Sequence, residues 1–195
     1  AAEQLHGKEL SYNNFLDAEA AWRAALDFAA PTAVVVGHAN PCGLASHEDL
    51  VEAYRRALAG DPVSAFGGIV AVNRELTAAV AEEMAKTFYE IVVAPAFAEG
   101  ALAILRKKQD LRILRVDPRA AIGCATALDY RRISGGFLAQ EPDAYADDSI
   151  ELKVVTKRAP TEEEVADLRF AWRVAKHVKS NAIVLVKDRE LLGMG

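Results

Sequence analysis

The run Thr32-Ala33-Val34-Val35-Val36 constrains the fold more than any other part of the chain. Apolar and β-branched residues without alternation read as a strand buried on both faces. The run leads into Gly37-His38-Ala39-Asn40-Pro41-Cys42-Gly43, a tight turn of the kind by which α/β enzymes present a reactive side chain. Ligands in such folds bind beyond the carboxyl ends of the strands. Gly37 and Gly43 let the backbone turn sharply or approach a ligand closely. His38 can take or give a proton near neutral pH.

Apolar strands alternate with amphipathic helices along much of the chain. Helical spacing predicts helices over residues 17–28, 46–59, 76–87 and 98–108. Ser46 is the expected N-cap of the second, and Gly60 suits its end. Short apolar runs predict strands at 69–72, 91–94 and 111–116. This rhythm implies a largely parallel sheet with helices on its faces. Residues 1–116 therefore read as a first α/β unit. Residues 117–150 read as an irregular linker with one extended piece near 130–140. Residues 151–195 read as the beginning of a second unit: a strand at 152–156, a helix at 161–178 with the capping box Thr161…Glu164, then strands at 182–187 and 191–194. The abrupt end in an apolar run after Gly193-Met194-Gly195 suggests a fragment.

Composition excludes several functional classes. The 195 residues are 52% hydrophobic and 26% charged, as in a globular protein with a substantial core. A net charge of -5 argues against broad nucleic-acid binding, which needs a basic surface. No signal-peptide pattern opens the chain, and no apolar run approaches the roughly 20 residues of a membrane span. Cys42 and Cys124 make no disulfide framework, so a reducing cytoplasm is the expected compartment.

The candidate site residues each have a functional and a plain structural reading. His38 is a base or a strand-end residue bonded to backbone. Cys42 is a nucleophile or, more simply, a small packing residue. A zinc deaminase site needs His-x-Glu and Pro-Cys-x-x-Cys. His38-Ala39-Asn40 lacks the Glu, Pro41-Cys42 lacks the second Cys, and Cys124 is remote, so no metal is expected. Ser64-Ala65-Phe66-Gly67-Gly68 either offers backbone N–H groups to an anion or amide, or is a tight turn. Lys179 suits a helix C-terminus, and Asn181 either reads a ligand or satisfies a turn. Asn13-Asn14 reads as an N-cap pair. Glu90, opening a strand, faces solvent or a ligand amine. His6, His47 and His177 read as surface residues.

Taken in order, these segments resemble the formyltransferase half of the bifunctional purine biosynthesis family, phosphoribosylaminoimidazolecarboxamide (AICAR) formyltransferase joined to an IMP cyclohydrolase. The matching stretches are HGKELSYNN at 6–14, HANPCG at 38–43, SAFGGI at 64–69, EIVVAP at 90–95, DYRRISGG at 129–136, KRAPTEEE at 157–164, FAWRVAKHVKSNAIVL at 170–185 and GMG at 193–195. The resemblance implies a cytidine-deaminase-like layered α/β/α fold without catalytic zinc. It implies formyl transfer from 10-formyltetrahydrofolate to the 5-amino group of AICAR, with His38 as proton acceptor and Asn14, Gly67, Glu90 and Asn181 as AICAR contacts. A homodimer is implied for the whole protein, with no nucleic-acid or membrane partner.

Three departures from the family pattern follow from the same resemblance. Gly37 stands where the family has a lysine that stabilises the developing oxyanion, a loss worth roughly 2.7–4 kcal/mol by analogy with oxyanion-hole donors. A family segment before HGKEL that contributes to substrate phosphate binding is absent. So are the continuation after GMG, which holds most folate contacts, and the cyclohydrolase domain. The chain by itself is therefore expected to be inactive. The alternative is a non-catalytic α/β remnant or a purine-precursor-binding module.

Overall fold

β2 (Thr32–Gly37) lies inside an eight-stranded sheet in the computed structural model, which describes residues 2–119, 127–143 and 150–195. Thr32 through Val36 are wholly buried. Alternate side chains serve opposite layers, as the pleat requires. Ala33 and Val35 join one core with α2 (Leu50–Gly60), α3 (Ala78–Met84) and α4 (Glu99–Leu105). Val34 and Val36 join the other, with α1 (Tyr12–Leu26) and α5 (Glu162–Lys176). The result is a three-layer α/β/α arrangement with five helices among the described residues.

The sheet is mixed, where the sequence rhythm predicts a largely parallel one. Its order is β1-β6-β5-β4-β2-β3-β10-β9. Only β4 (Ile69–Val72), β5 (Ile91–Ala94) and β6 (Arg112–Val116) run parallel to one another. β2 is antiparallel to β4 and to β3 (Asn40–Ser46). The predicted helix start at Ser46 is thus the end of a strand. Ser46 is buried, with its Oγ 2.6 Å from Thr32 Oγ1. Asp49 is the N-cap of α2, accepting a hydrogen bond from Val51 N at 2.9 Å.

β3 escapes the sequence patterns because Pro41 and Gly43 read as turn residues. Its register with β2 shifts between Val35 and Val36, leaving Cys42 as the extra residue of a bulge. Pro beside a bulge is tolerated because the ladder is already broken there. Gly43 serves packing and not a ligand. A Cβ there would overlap the Ala57 carbonyl oxygen, because α2 lies directly against the strand.

Residues 151–195, read as the start of a second unit, do not begin a separate sheet. β9 (Val184–Lys187) and β10 (Glu190–Met194) complete the same eight-stranded sheet, and no strand forms at 152–156. α5 buries Phe170 and Val174 against the α1 layer, with its predicted capping box at Thr161 and Glu164 in place. Asp27, the C-cap of α1, anchors it: its carboxylate accepts from His177 Nε2 at 2.7 Å and pairs with Lys176 Nζ at 3.0 Å. His177 is therefore a packing contact and not a free surface residue. β1 (Ala2–His6), which pairs antiparallel with β6, was absent from the sequence reading because AEQLH is polar and lies at an edge. In the predicted linker, β7 (Asp129–Ile133) and β8 (Gly136–Gln140) form an exposed two-stranded hairpin. The remainder of that linker at 120–126, including Cys124, and at 144–149 lies outside the described residues.

Two outcomes follow for stability. Gly43→Ala should cost more than about 3 kcal/mol, because the clash is with helix backbone that cannot swing aside. Gly193→Ala, with open space around it, should stay within about 0.5 kcal/mol. Urea unfolding of both variants reads the contrast. The second outcome concerns acid. Burial acts to raise the Asp27 pKa, but the hydrogen bonds and charges of His177 and Lys176 more than offset it, so the carboxyl sits below its ordinary value. Its contribution is then fully present above the unfolded pKa of about 4 and is lost as pH falls through the lower folded value. Asp27→Asn should cost about 1–2 kcal/mol at neutral pH. Its urea midpoint should converge on that of the parent as pH falls below about 4.

Candidate active site

The reversal of β2 decides where the site lies. Val36 pairs with Ile69, Ile69 with Ile91, and Ile91 with Arg112. One position further out along that row stand Gly37, Gly68 and Glu90. The carboxyl end of β2 therefore meets the amino ends of β4, β5 and β6. Of the candidate residues, His38 lies beyond the carboxyl end of its strand, whereas Gly67 and Glu90 precede the amino ends of theirs.

At this edge β2 and β3 are joined by His38 and Ala39, both in the left-handed region with φ of 53° and 60°. Positive φ at both central residues is the two-residue hairpin turn whose twist matches the flanking strands. It normally carries Asn or Gly, and a histidine and an alanine bear strain there. Gly37 is not needed for this geometry. Its φ is not positive, and a Cβ would sit 3.6 Å from the Ser64 carbonyl oxygen, an ordinary contact.

A second segment clasps the turn. Lys179 N donates to Asn40 Oδ1 at 3.0 Å, and Lys179 Nζ donates to the His38 carbonyl at 2.9 Å. These bonds bring Lys179-Ser180-Asn181, which follows α5, to the His38 turn. Lys179 thus has a specific partner that its place near a helix end did not reveal. His38 and Asn181 are exposed.

Cys42 behaves as a packing residue. Its Sγ lies 3.5 Å from the Val35 carbonyl, and burial, helped by Asp61, pushes the thiol up to about 11. A nucleophile would need the opposite shift. The Gly67 and Gly68 N–H groups are not free for a ligand. Gly67 N donates to Phe88 O at 2.8 Å and Gly68 N to Ala65 O at 3.1 Å. Gly67, with φ of 74°, makes the turn that brings the chain into β4, and only glycine adopts that conformation easily.

Glu90 lies on the same edge, its N–H donating to Gly68 O at 3.0 Å. Its carboxylate pairs with Arg112 Nη1 at 2.6 Å, while Arg112 Nε donates to the Glu9 carbonyl at 2.9 Å. Glu9 leads into α1, where Ser11 is the N-cap and Asn14 closes the capping box. Asn14 Oδ1 is thereby committed to Ser11 N. Arg112 gives no signal in the sequence, because a charge at the start of the strand RILRV reads as solvated. Among the described residues no group of three or more His, Cys, Asp or Glu could hold a metal ion, and no helix is long and apolar enough to cross a membrane.

One sheet edge of this α/β fold thus gathers a histidine turn, a glycine turn and a fixed carboxylate from separate segments. Comparison with known proteins makes this specific. The model of the AICARFT/IMPCHase bienzyme family matches residues 1–195, and the chain belongs to that family. It is 53% identical over 193 residues to the bifunctional purine biosynthesis protein PurH of Thermoanaerobacter sp. (strain X514), covering 99% of this chain and 37% of that protein. It is 51% identical over 195 residues to PurH of Magnetococcus marinus, covering 100% and 37%. The PurH protein of Bacillus cereus (strain ATCC 14579) is 49% identical over 194 residues, covering 100% and 38%. The chain thus spans less than two fifths of the length of these relatives.

The strain in the turn has a measurable consequence. Ala39→Gly relieves a left-handed alanine worth about 1–2 kcal/mol and adds unfolded-state entropy worth about 0.4–1 kcal/mol. A net stabilisation of about 0.5–1 kcal/mol in urea unfolding is expected, and a loss of stability would show that the turn is unstrained.

Proposed function

We propose that this chain is the acceptor-binding part of an AICAR formyltransferase acting in purine (IMP) biosynthesis. The formyl group passes from 10-formyltetrahydrofolate to the 5-amino group of AICAR. The observation that carries the reading is the arrangement of His38, Gly67 and Glu90 in the segments next to the ends of adjacent strands β2, β4 and β5 at one sheet edge, in a chain of the bienzyme family. The clasp through Lys179 brings Asn181 to the same turn. Arg112 ties the segment leading to Asn14 to Glu90. The mixed three-layer sheet supports a cytidine-deaminase-like fold. The reading takes the compartment as cytoplasmic and the working form as a homodimer, and involves no metal ion.

In this reading the AICAR amine attacks the formyl carbon of the donor, and the carbonyl π pair moves to oxygen. His38 takes the amine proton as the new C–N bond forms. The tetrahedral intermediate collapses, the bond to N10 of the folate breaks, and N10 is protonated as tetrahydrofolate leaves. Glu90 accepts from an N–H of the acceptor, and Asn14 and Asn181 contribute amide contacts that orient it. An aromatic amine is a weak nucleophile, so a base in a fixed turn is the part of this machinery with most effect on rate.

The test is tetrahydrofolate formation in the intact protein with AICAR present. His38→Ala should lower kcat by about 10²–10⁴. Gly37→Lys should raise kcat, because a cation at the strand end stabilises charge that develops in the transition state, and the backbone there accepts a side chain. Cys42→Ala should change the rate by less than about twofold. A dead Cys42→Ala with an active His38→Ala would replace this mechanism by thiol chemistry.

A further inference from the structure

We infer that Arg112 is a positioning residue that sets the affinity of this edge for its amine-bearing substrate by fixing Glu90. The inference rests on the assignment of Glu90 to the acceptor. Three bonds from Arg112 carry it. Its N–H donates to the Glu90 carbonyl at 3.1 Å. Its Nη1 donates to Glu90 Oε2 at 2.6 Å, and its Nε to the Glu9 carbonyl at 2.9 Å. The Arg112 side chain is 12% exposed and that of Glu90 39%. The guanidinium is therefore held inside the rim, and the carboxylate is held from behind while still open to solvent.

This geometry commits one carboxylate oxygen to Arg112. No bond to Oε1 is found among the described residues. A charge-assisted bond of this kind holds the carboxylate in one orientation. Oε1 then acts only as an acceptor, suited to an N–H donor on a ligand and unsuited to another acceptor. A free Glu at this position would have to give up rotamer freedom on binding, at a cost in affinity. Arg112 removes that cost in advance.

The same guanidinium couples two segments directly. Glu90 N is bonded to Gly68 O next to the Gly67 turn, and the Glu9 carbonyl lies just ahead of the Ser11–Asn14 capping box. The segments before β5 and α1 thus share one anchor, and the segment before β4 is tied to it through the Glu90 backbone. Lysine could hold Glu90 as a point charge, but it lacks the second, divergent N–H that reaches Glu9.

The experiment compares Arg112→Gln, Arg112→Lys, Glu90→Ala and the double variant Glu90→Ala/Arg112→Gln in the intact protein. KM for AICAR, kcat and thermal midpoint are read for each. Arg112→Gln should raise KM for AICAR about tenfold or more with kcat within about threefold, the signature of lost binding and not of lost chemistry. Arg112→Lys, which keeps the charge and the fold better, should fall between parent and Arg112→Gln. In the Glu90→Ala background the Arg112→Gln step should change KM by less than about twofold, because a residue acting through Glu90 has nothing left to act on. An unchanged KM in Arg112→Gln and Arg112→Lys overturns the inference. So does the same fold-increase with and without Glu90. If Glu90→Ala itself leaves KM unchanged, it is the assignment of Glu90 to the acceptor that fails, and the inference falls with it.

Discussion

Everything at the candidate site depends on one constraint: a fully buried strand held antiparallel on both sides. β2 cannot leave the sheet without exposing a row of apolar residues to water, each worth on the order of 1.5–3 kcal/mol. Its direction relative to β4 brings the His38 turn to the edge where β4, β5 and β6 begin. Had β2 run parallel to β4, the same turn would lie at the opposite edge from Gly67 and Glu90. The site is a product of strand polarity before it is a product of any side chain.

Strand polarity is what the sequence expressed least. The apolar run at 32–36, the strands at 69–72 and 91–94 and the capping box at Thr161 were legible, because burial and capping leave local marks. Whether a strand pairs parallel or antiparallel leaves no such mark. It is settled by connections and long-range packing. β3 was hidden because the residues that fit it to its neighbours, Pro41 at the bulge and Gly43 beneath α2, are those that usually signal a turn. β9 and β10 were legible as strands, but their return to the first sheet was not, since it depends on α5 docking onto Asp27. Of the site, His38 and Glu90 were visible as residue types in suggestive places. Arg112 and the clasp by Lys179 were not, because their partners are remote in sequence.

The glycines of the region divide their work in a way that motif reading blurs. Gly43 admits a helix, Gly67 supplies a turn, and Gly37 does neither. The strained conformation falls instead on His38 and Ala39. Strain of that kind persists only where surrounding structure overdetermines it. Here two strands fix the ends of the turn, and Lys179 grips both the His38 carbonyl and the Asn40 side chain. The position of the imidazole's backbone is therefore set by three chain segments and not by the turn alone.

Two kinds of rigidity meet at this edge, and they differ in what they can do for a reaction. The Arg112–Glu90–Glu9 anchor is partly withdrawn from water, so its electrostatics are stronger than those of a surface pair. In the proposed reaction it would present an acceptor that is the same before and during bond formation, and so act on the bound ground state and the transition state alike. In that proposal the His38 turn carries a group whose proton inventory changes during the reaction, so its contribution would be confined to the step in which the proton moves. The proposal thus lodges binding strength and chemical rate in separately anchored segments. One can change without the other, provided the buried strand between them keeps its direction.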